Sequence, residues 1–141
     1  MKRELGEVIL ERDFKIHHSD GSAGTVKLRV GKTYPKSETS GHLRWFCPCQ
    51  LVGIGNETVQ EMPGIDSVDA LLTSLMYAHL RLKDYIRTDN LRITWLGEDH
   101  LGLPDLDVAD DENENSEHSA IFEEIFEEFF RNFRKDTGQG S

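Results

Sequence analysis

Gly64-Ile65-Asp66-Ser67-Val68-Asp69-Ala70-Leu71-Leu72 opens a pattern that runs on to Ile86 and is followed by Leu91-Arg92-Ile93-Thr94-Trp95-Leu96-Gly97. Asp66 is a good N-cap, Asp69 follows three residues on as a capping-box acid, and Ile65 is placed to staple against Ala70. At about 100° per residue, Val68, Leu71, Leu72, Leu75, His79, Leu82 and Ile86 fall in one stripe with Met76 at its margin. Asp69, Thr73, Arg81, Asp84 and Arg87 lie off that stripe. The spacing predicts a helix over Asp66–Arg87 whose apolar stripe covers a sheet and whose other side meets solvent. Tyr77 and Leu80 sit on that outer side, available to another element. Thr88-Asp89-Asn90 ends the helix, and Leu91, Ile93 and Trp95 alternating with Arg92 and Thr94 make a closing strand.

Upstream the pattern is β. Val8, Leu10, Phe14 and Ile16 alternate around Arg12 with Glu11, Asp13 and Lys15, as in a half-buried strand. His17 to Gly24 is a turn by composition, and Val26, Leu28 and Val30 make the returning arm of a hairpin. Gly31 to Gly41 reads as a loop leading to a third strand, Leu43 to Val52. Pro48 has no N–H to give a ladder, so this strand is at an edge or bulged there. Glu57 to Met62 is a short fourth strand, which Pro63-Gly64 breaks. The expected fold is α+β: an antiparallel sheet of four to five strands covered on one face by one main helix, plus a C-terminal amphipathic helix.

The charge divides the chain. Residues 1–97 carry 13 Lys+Arg and 12 Asp+Glu, residues 98–130 carry 13 Asp+Glu and no Lys or Arg, and residues 131–141 carry three basic and one acidic side chain, which gives the net −10. We read an α+β domain over 1–104, an acidic connector over 105–118, an amphipathic helix over 119–135 and a frayed tail over 136–141. In the third segment Ile121, Phe122, Ile125, Phe126, Phe129, Phe130 and Phe133 share a face opposite Glu123, Glu124, Glu127, Glu128, Arg131 and Arg134. Five of the chain's seven phenylalanines are here. Burying an Ile or Phe gains on the order of 1.5–3 kcal/mol, so the seven represent roughly 10–20 kcal/mol that exposure to water would forfeit. Something must cover that face: its own domain, a second copy, or another protein.

The chain resembles a family of small bacterial proteins of unknown function. The features that carry the likeness are a strand with Trp45 and Cys47, the Gly64-Ile-Asp66-Ser-Val-Asp-Ala70-Leu71 helix start, and Ile93-Thr94-Trp95-Leu96-Gly97 continuing through Leu101-Gly102-Leu103-Pro104. The likeness covers residues 4–104. His79 departs from the small or apolar residue expected there. The resemblance implies no activity, and its signature residues are cap, core and turn.

Candidate chemistry is sparse. Cys47 and Cys49 supply two thiolates where a structural zinc site needs four ligands, and a disulfide between them would close a very small, strained ring. Redox sensing is the alternative reading of that pair. Alternation instead sends Trp45, Cys47 and Cys49 to one side of a strand, as small core residues. His79, in the middle of the helical stripe, is expected neutral, packed and hydrogen-bonded once. Gly53-Ile-Gly55 is only a turn, and the acids from Asp105 do not fit a calcium loop, with no Gly sixth or Glu twelfth. No residue is read as catalytic, and no metal or cofactor is expected.

Lack of an export-type leader and of a long apolar run suggests a cytoplasmic protein. The acidity disfavours nucleic acid and anionic membrane and favours a basic protein surface. The expected role is an acidic protein-binding protein, of immunity or antitoxin type, with Asp105, Asp107, Asp110, Asp111, Glu112, Glu114, Phe122, Phe126, Phe129, Phe130 and Phe133 as the partner-binding residues. The alternatives are a homodimer built on the phenylalanine helix, and a metal or redox protein using Cys47 and Cys49.

Overall fold

The computed structural model describes residues 4–37, 41 and 43–105. The acidic residues beyond Asp105, the phenylalanine segment and the tail lie outside the described residues. The elements are β1 (Val8–His17), β2 (Ala23–Gly31), β3 (Tyr34–Ser37), β4 (Leu43–Val52), β5 (Gln60–Gly64), α1 (Ser67–Thr88) and β6 (Arg92–Thr94). All six strands pair antiparallel in one sheet, and α1 lies chiefly over β4 and β5. The α+β architecture is as expected, with more strands.

β3 is the additional one, within the stretch that composition marks as a loop. Trp45 and Phe46 of β4 pair with both β3 and β5, and Cys49 pairs with both β2 and β5, so β2 and β3 share one edge of β4. Val30 faces Cys49 and Tyr34 faces Phe46, which sets Gly31-Lys32-Thr33 against Cys47-Pro48. Three residues opposite two make a bulge, and the missing N–H of Pro48 sits at it. Gly31 has no side chain for a reason: a Cβ there would collide with the Leu5 carbonyl oxygen and lie 2.8 Å from Pro48 Cγ. β5 is displaced relative to expectation. It runs through Pro63 to Gly64, while Glu57 to Val59 lie in the preceding loop.

The hairpin of β1 and β2 is as the alternation predicts, with Phe14 opposite Val26 and Arg12 opposite Leu28. Phe14, Ile16, Val26, Leu28, Val30, Cys47, Cys49, Met62 and Ile93 form the sheet's side of the core. On the other face Asp13 pairs with Lys27 and Glu11 with Arg29, both in water. In the turn, the Ser22 hydroxyl and then its backbone N–H donate to Asp20 and hold that carboxyl below its ordinary range.

The helix start is as read. Asp66 accepts from the Asp69 N–H at 2.8 Å, and Asp69 accepts from the Ile65 N–H at 2.9 Å. The orientation of α1 is only partly as read. Its buried residues are Ala70, Thr73, Ser74, Tyr77, Ala78, Arg81 and Leu82, so Tyr77 and Arg81, each 3% exposed, face the sheet. Val68 is 63% and Leu72 44% exposed on the opposite side. Tyr77 is therefore unavailable to an outer element. The cause is close approach: Ala70, Ser74 and Ala78 recur every fourth residue, a ridge of small side chains on one helical face. A Cβ on Gly64 would collide with the Ala70 nitrogen, and the Ser74 hydroxyl donates to the Cys47 carbonyl at 2.8 Å. Leu82 continues that buried side, and Leu71, Leu75 and Ile86 pack partly buried against the core, so the predicted stripe is covered along one flank and open at Val68 and Leu72.

Candidate functional site

After β6 the chain makes a tight turn in which Trp95 and Glu98 exchange backbone hydrogen bonds at 2.9 Å. Leu96 and Gly97 both take positive φ, 52° and 81°, the pairing of a type I′ turn. Leu96 is 84% exposed at its tip. The chain then crosses β1. The Arg12 guanidinium donates to the carbonyls of Leu101 and Gly102 at 3.0 and 2.9 Å and stacks on Trp95 at 3.8 Å. Gly102, at φ 67°, lies where a side chain would strike the Trp95 ring.

That crossing carries the chain to the outward side of α1. His79 Nδ1 lies 3.1 Å from the Pro104 carbonyl, and because a carbonyl only accepts, Nδ1 carries the proton. Lys83 donates to both carboxylate oxygens of Asp105 at 2.9 and 3.1 Å, and His79 is 3.9 Å from the same carboxylate. His79 is half-buried and packed, in keeping with its expected role. An exposed ion pair such as Lys83–Asp105 contributes at most about 1 kcal/mol. The buried Leu101 and the two charge-assisted bonds from Arg12 do more to fix the path. Asp105 is the one predicted partner residue among those described, and it sits against α1. Towards the start of the helix, Val68 and Leu72, which the sequence reading assigned to a covered stripe, and Ile65, which it read as a staple against Ala70, are exposed.

Two other places hold polar side chains. A cleft of about 660 Å³ on the outer face of β1, β2 and β6 is lined by Lys15, His17, Thr25, Arg92, Thr94 and Leu96 among others. In it His17 Nε2 is 3.1 Å from the Thr94 hydroxyl, while Arg92 pairs with Asp99 at 2.9 Å. Beneath α1, Arg81 donates to the Tyr85 hydroxyl at 2.6 Å and lies over its ring, in a polar cluster with Gln60, Thr58 and Cys49. The space there, about 20 Å³, is about that of one water.

Cys47 and Cys49 are buried on the core side of β4 and are not joined by a disulfide. Burial pushes the Cys47 thiol up, so it is not a thiolate near neutrality and is a poor nucleophile or ligand. Among the described residues no group of three or more His, Cys, Asp and Glu side chains is placed to hold a metal ion. No helix among the described residues is long and apolar enough to cross a membrane.

Comparison with curated proteins and with solved structures finds no match. Residues 10–105 match a family described as a domain of unknown function, DUF6968, a span that takes in α1, β2 to β6 and all but the first two residues of β1, and stops at the residue held by Lys83. With most of its length so matched, the chain belongs to the DUF6968 family.

Proposed function

We propose that the protein is a small acidic protein-binding protein that holds a basic target, in the manner of an immunity- or antitoxin-type inhibitor. One observation carries the reading: the run of acids that begins at Asp105, within a segment of 13 Asp+Glu and no Lys or Arg, starts on the outward side of α1, at His79 and Lys83. A concentrated acidic surface steers a basic protein into encounter and favours it over acidic competitors. Asp105, Asp107, Asp110, Asp111, Glu112 and Glu114 are the steering residues. The protein works by occupying a surface, and no described residue is assigned a chemical step.

The test is affinity capture from extracts of the native host with the full chain at low and moderate salt. A second bait carries Asp107, Asp110, Asp111, Glu112 and Glu114 as their amides. The expected result is a single basic protein retained by the native chain, with association slowed about tenfold or more in the amide variant and in high salt. Recovery of no basic protein at either salt, or equal association by both baits, contradicts the proposal.

A further inference from the structure

We infer that the phenylalanine face of residues 119–135 seats on the outward face of α1, along Ile65, Val68 and Leu72, within the same chain. Three observations converge on this occupant. The first is that α1 already has two sides in use. Its small and polar side lies on the sheet, and residues 101–105 reach the outward side at His79 and Lys83, which leaves the amino-terminal half of that side apolar and open.

The second is where the chain goes. It leaves the described domain at Asp105, held by Lys83, and thirteen residues, 106–118, separate that point from the segment. From His79 back to Val68 is about 16 Å along the helix at 1.5 Å per residue. A flexible chain of that length has a root-mean-square span of roughly 20 Å. The segment is thus delivered to the surface at high effective concentration, ahead of any second copy or foreign protein.

The third is charge. α1 is acidic at its start, with Asp66 and Asp69, and mixed at its end, where Lys83 and Arg87 pair with Asp105 and Asp84. The segment runs from Glu123, Glu124, Glu127 and Glu128 to Arg131, Arg134 and Lys135. A parallel placement sets the glutamates of the segment beside Asp66 and Asp69, and an antiparallel one sets its basic end there. It also opposes the two helix dipoles. The acidic connector becomes a loop tied at both ends, which presents its carboxylates beside α1.

Hydrogen exchange on the full chain, read together with sedimentation, tests this without any partner. The expected result is a monomer in which amides of residues 121–133 are protected, with protection lost by about tenfold or more in Val68→Asp/Leu72→Asp while amides of β1 and β2 are unchanged. Phe126→Ser/Phe130→Ser in the full chain should remove the same protection. Protection that grows with protein concentration alongside a dimer assigns the face to a second copy and overturns the inference. Absent protection in the native chain, or protection indifferent to Val68→Asp/Leu72→Asp, overturns it too. None of these outcomes depends on whether a basic target exists.

Discussion

Gly64→Ala should destabilise the protein by about 3 kcal/mol, at or above the upper end of the usual overpacking cost. At Gly64, β5 and α1 meet backbone to backbone. An added methyl would collide with the Ala70 nitrogen and lie 2.5 Å from its Cα and 2.8 Å from the Asp69 carbonyl carbon. None of these is a side chain that can swing away. The first turn of α1 would have to lift, taking with it the capping bonds of Asp66 and Asp69 and loosening the Ser74 bond to Cys47. Thermal unfolding checks the result: for a domain of this size the midpoint should fall by roughly 10 °C. A change within about 0.5 kcal/mol would mean that the helix does not approach so closely.

Arg81→Glu should cost more, about 4 kcal/mol or enough to prevent folding, whereas Arg87→Glu should stay within about 1 kcal/mol. The two arginines are six residues apart on α1, and both lie off the leucine stripe. Arg81 is under the helix, bonded to and stacked on Tyr85, with Asp84 at 4.0 Å. A carboxylate in its place faces Asp84 as a like charge, loses the ring contact, and leaves the Tyr85 hydroxyl without the Arg81 bond. Arg87 lies in solvent and bonds Asp84 at 2.8 Å, so its loss removes a surface pair. Denaturant titration of the two variants side by side separates the cases.

These contrasts show which parts of the fold were legible in the sequence. The cap at Asp66, the hairpin of β1 and β2 and the bulge at Pro48 follow from local rules, because each depends on residues near in sequence. The face of α1 does not. Hydrophobic periodicity finds the leucines, and the packing of α1 is decided instead by the spacing of Ala70, Ser74 and Ala78 opposite Gly64. That signal was present as a small-residue ridge, and it competes with a more conspicuous apolar one. β3 escaped for another reason: its four residues Tyr34-Pro35-Lys36-Ser37 carry a proline and no clear alternation, and only pairing with β4 makes them a strand.

For the candidate site, composition disclosed the acidic segment and nothing local disclosed its placement. Lys83 and Asp105 are 22 residues apart, and their meeting depends on Arg12 drawing residues 101 and 102 across β1. Leu96 was visible only as part of a Trp-Leu-Gly run, and its exposure at positive φ follows from the turn.

The central contrast is that α1 turns Ala70, Ser74, Ala78 and Leu82 to the core and Val68 and Leu72 outward. The most direct measurement is the denaturant stability of the full chain carrying Ala78→Asp set against that carrying Leu72→Asp. Ala78 is 1% exposed against the core, so the first variant should lose about 4 kcal/mol or fail to fold. Leu72→Asp should leave the sheet and α1 folded at a cost of about 1.5 kcal/mol or less, the part due to contacts on the outer side. Collapse of Leu72→Asp with tolerance of Ala78→Asp would contradict the account.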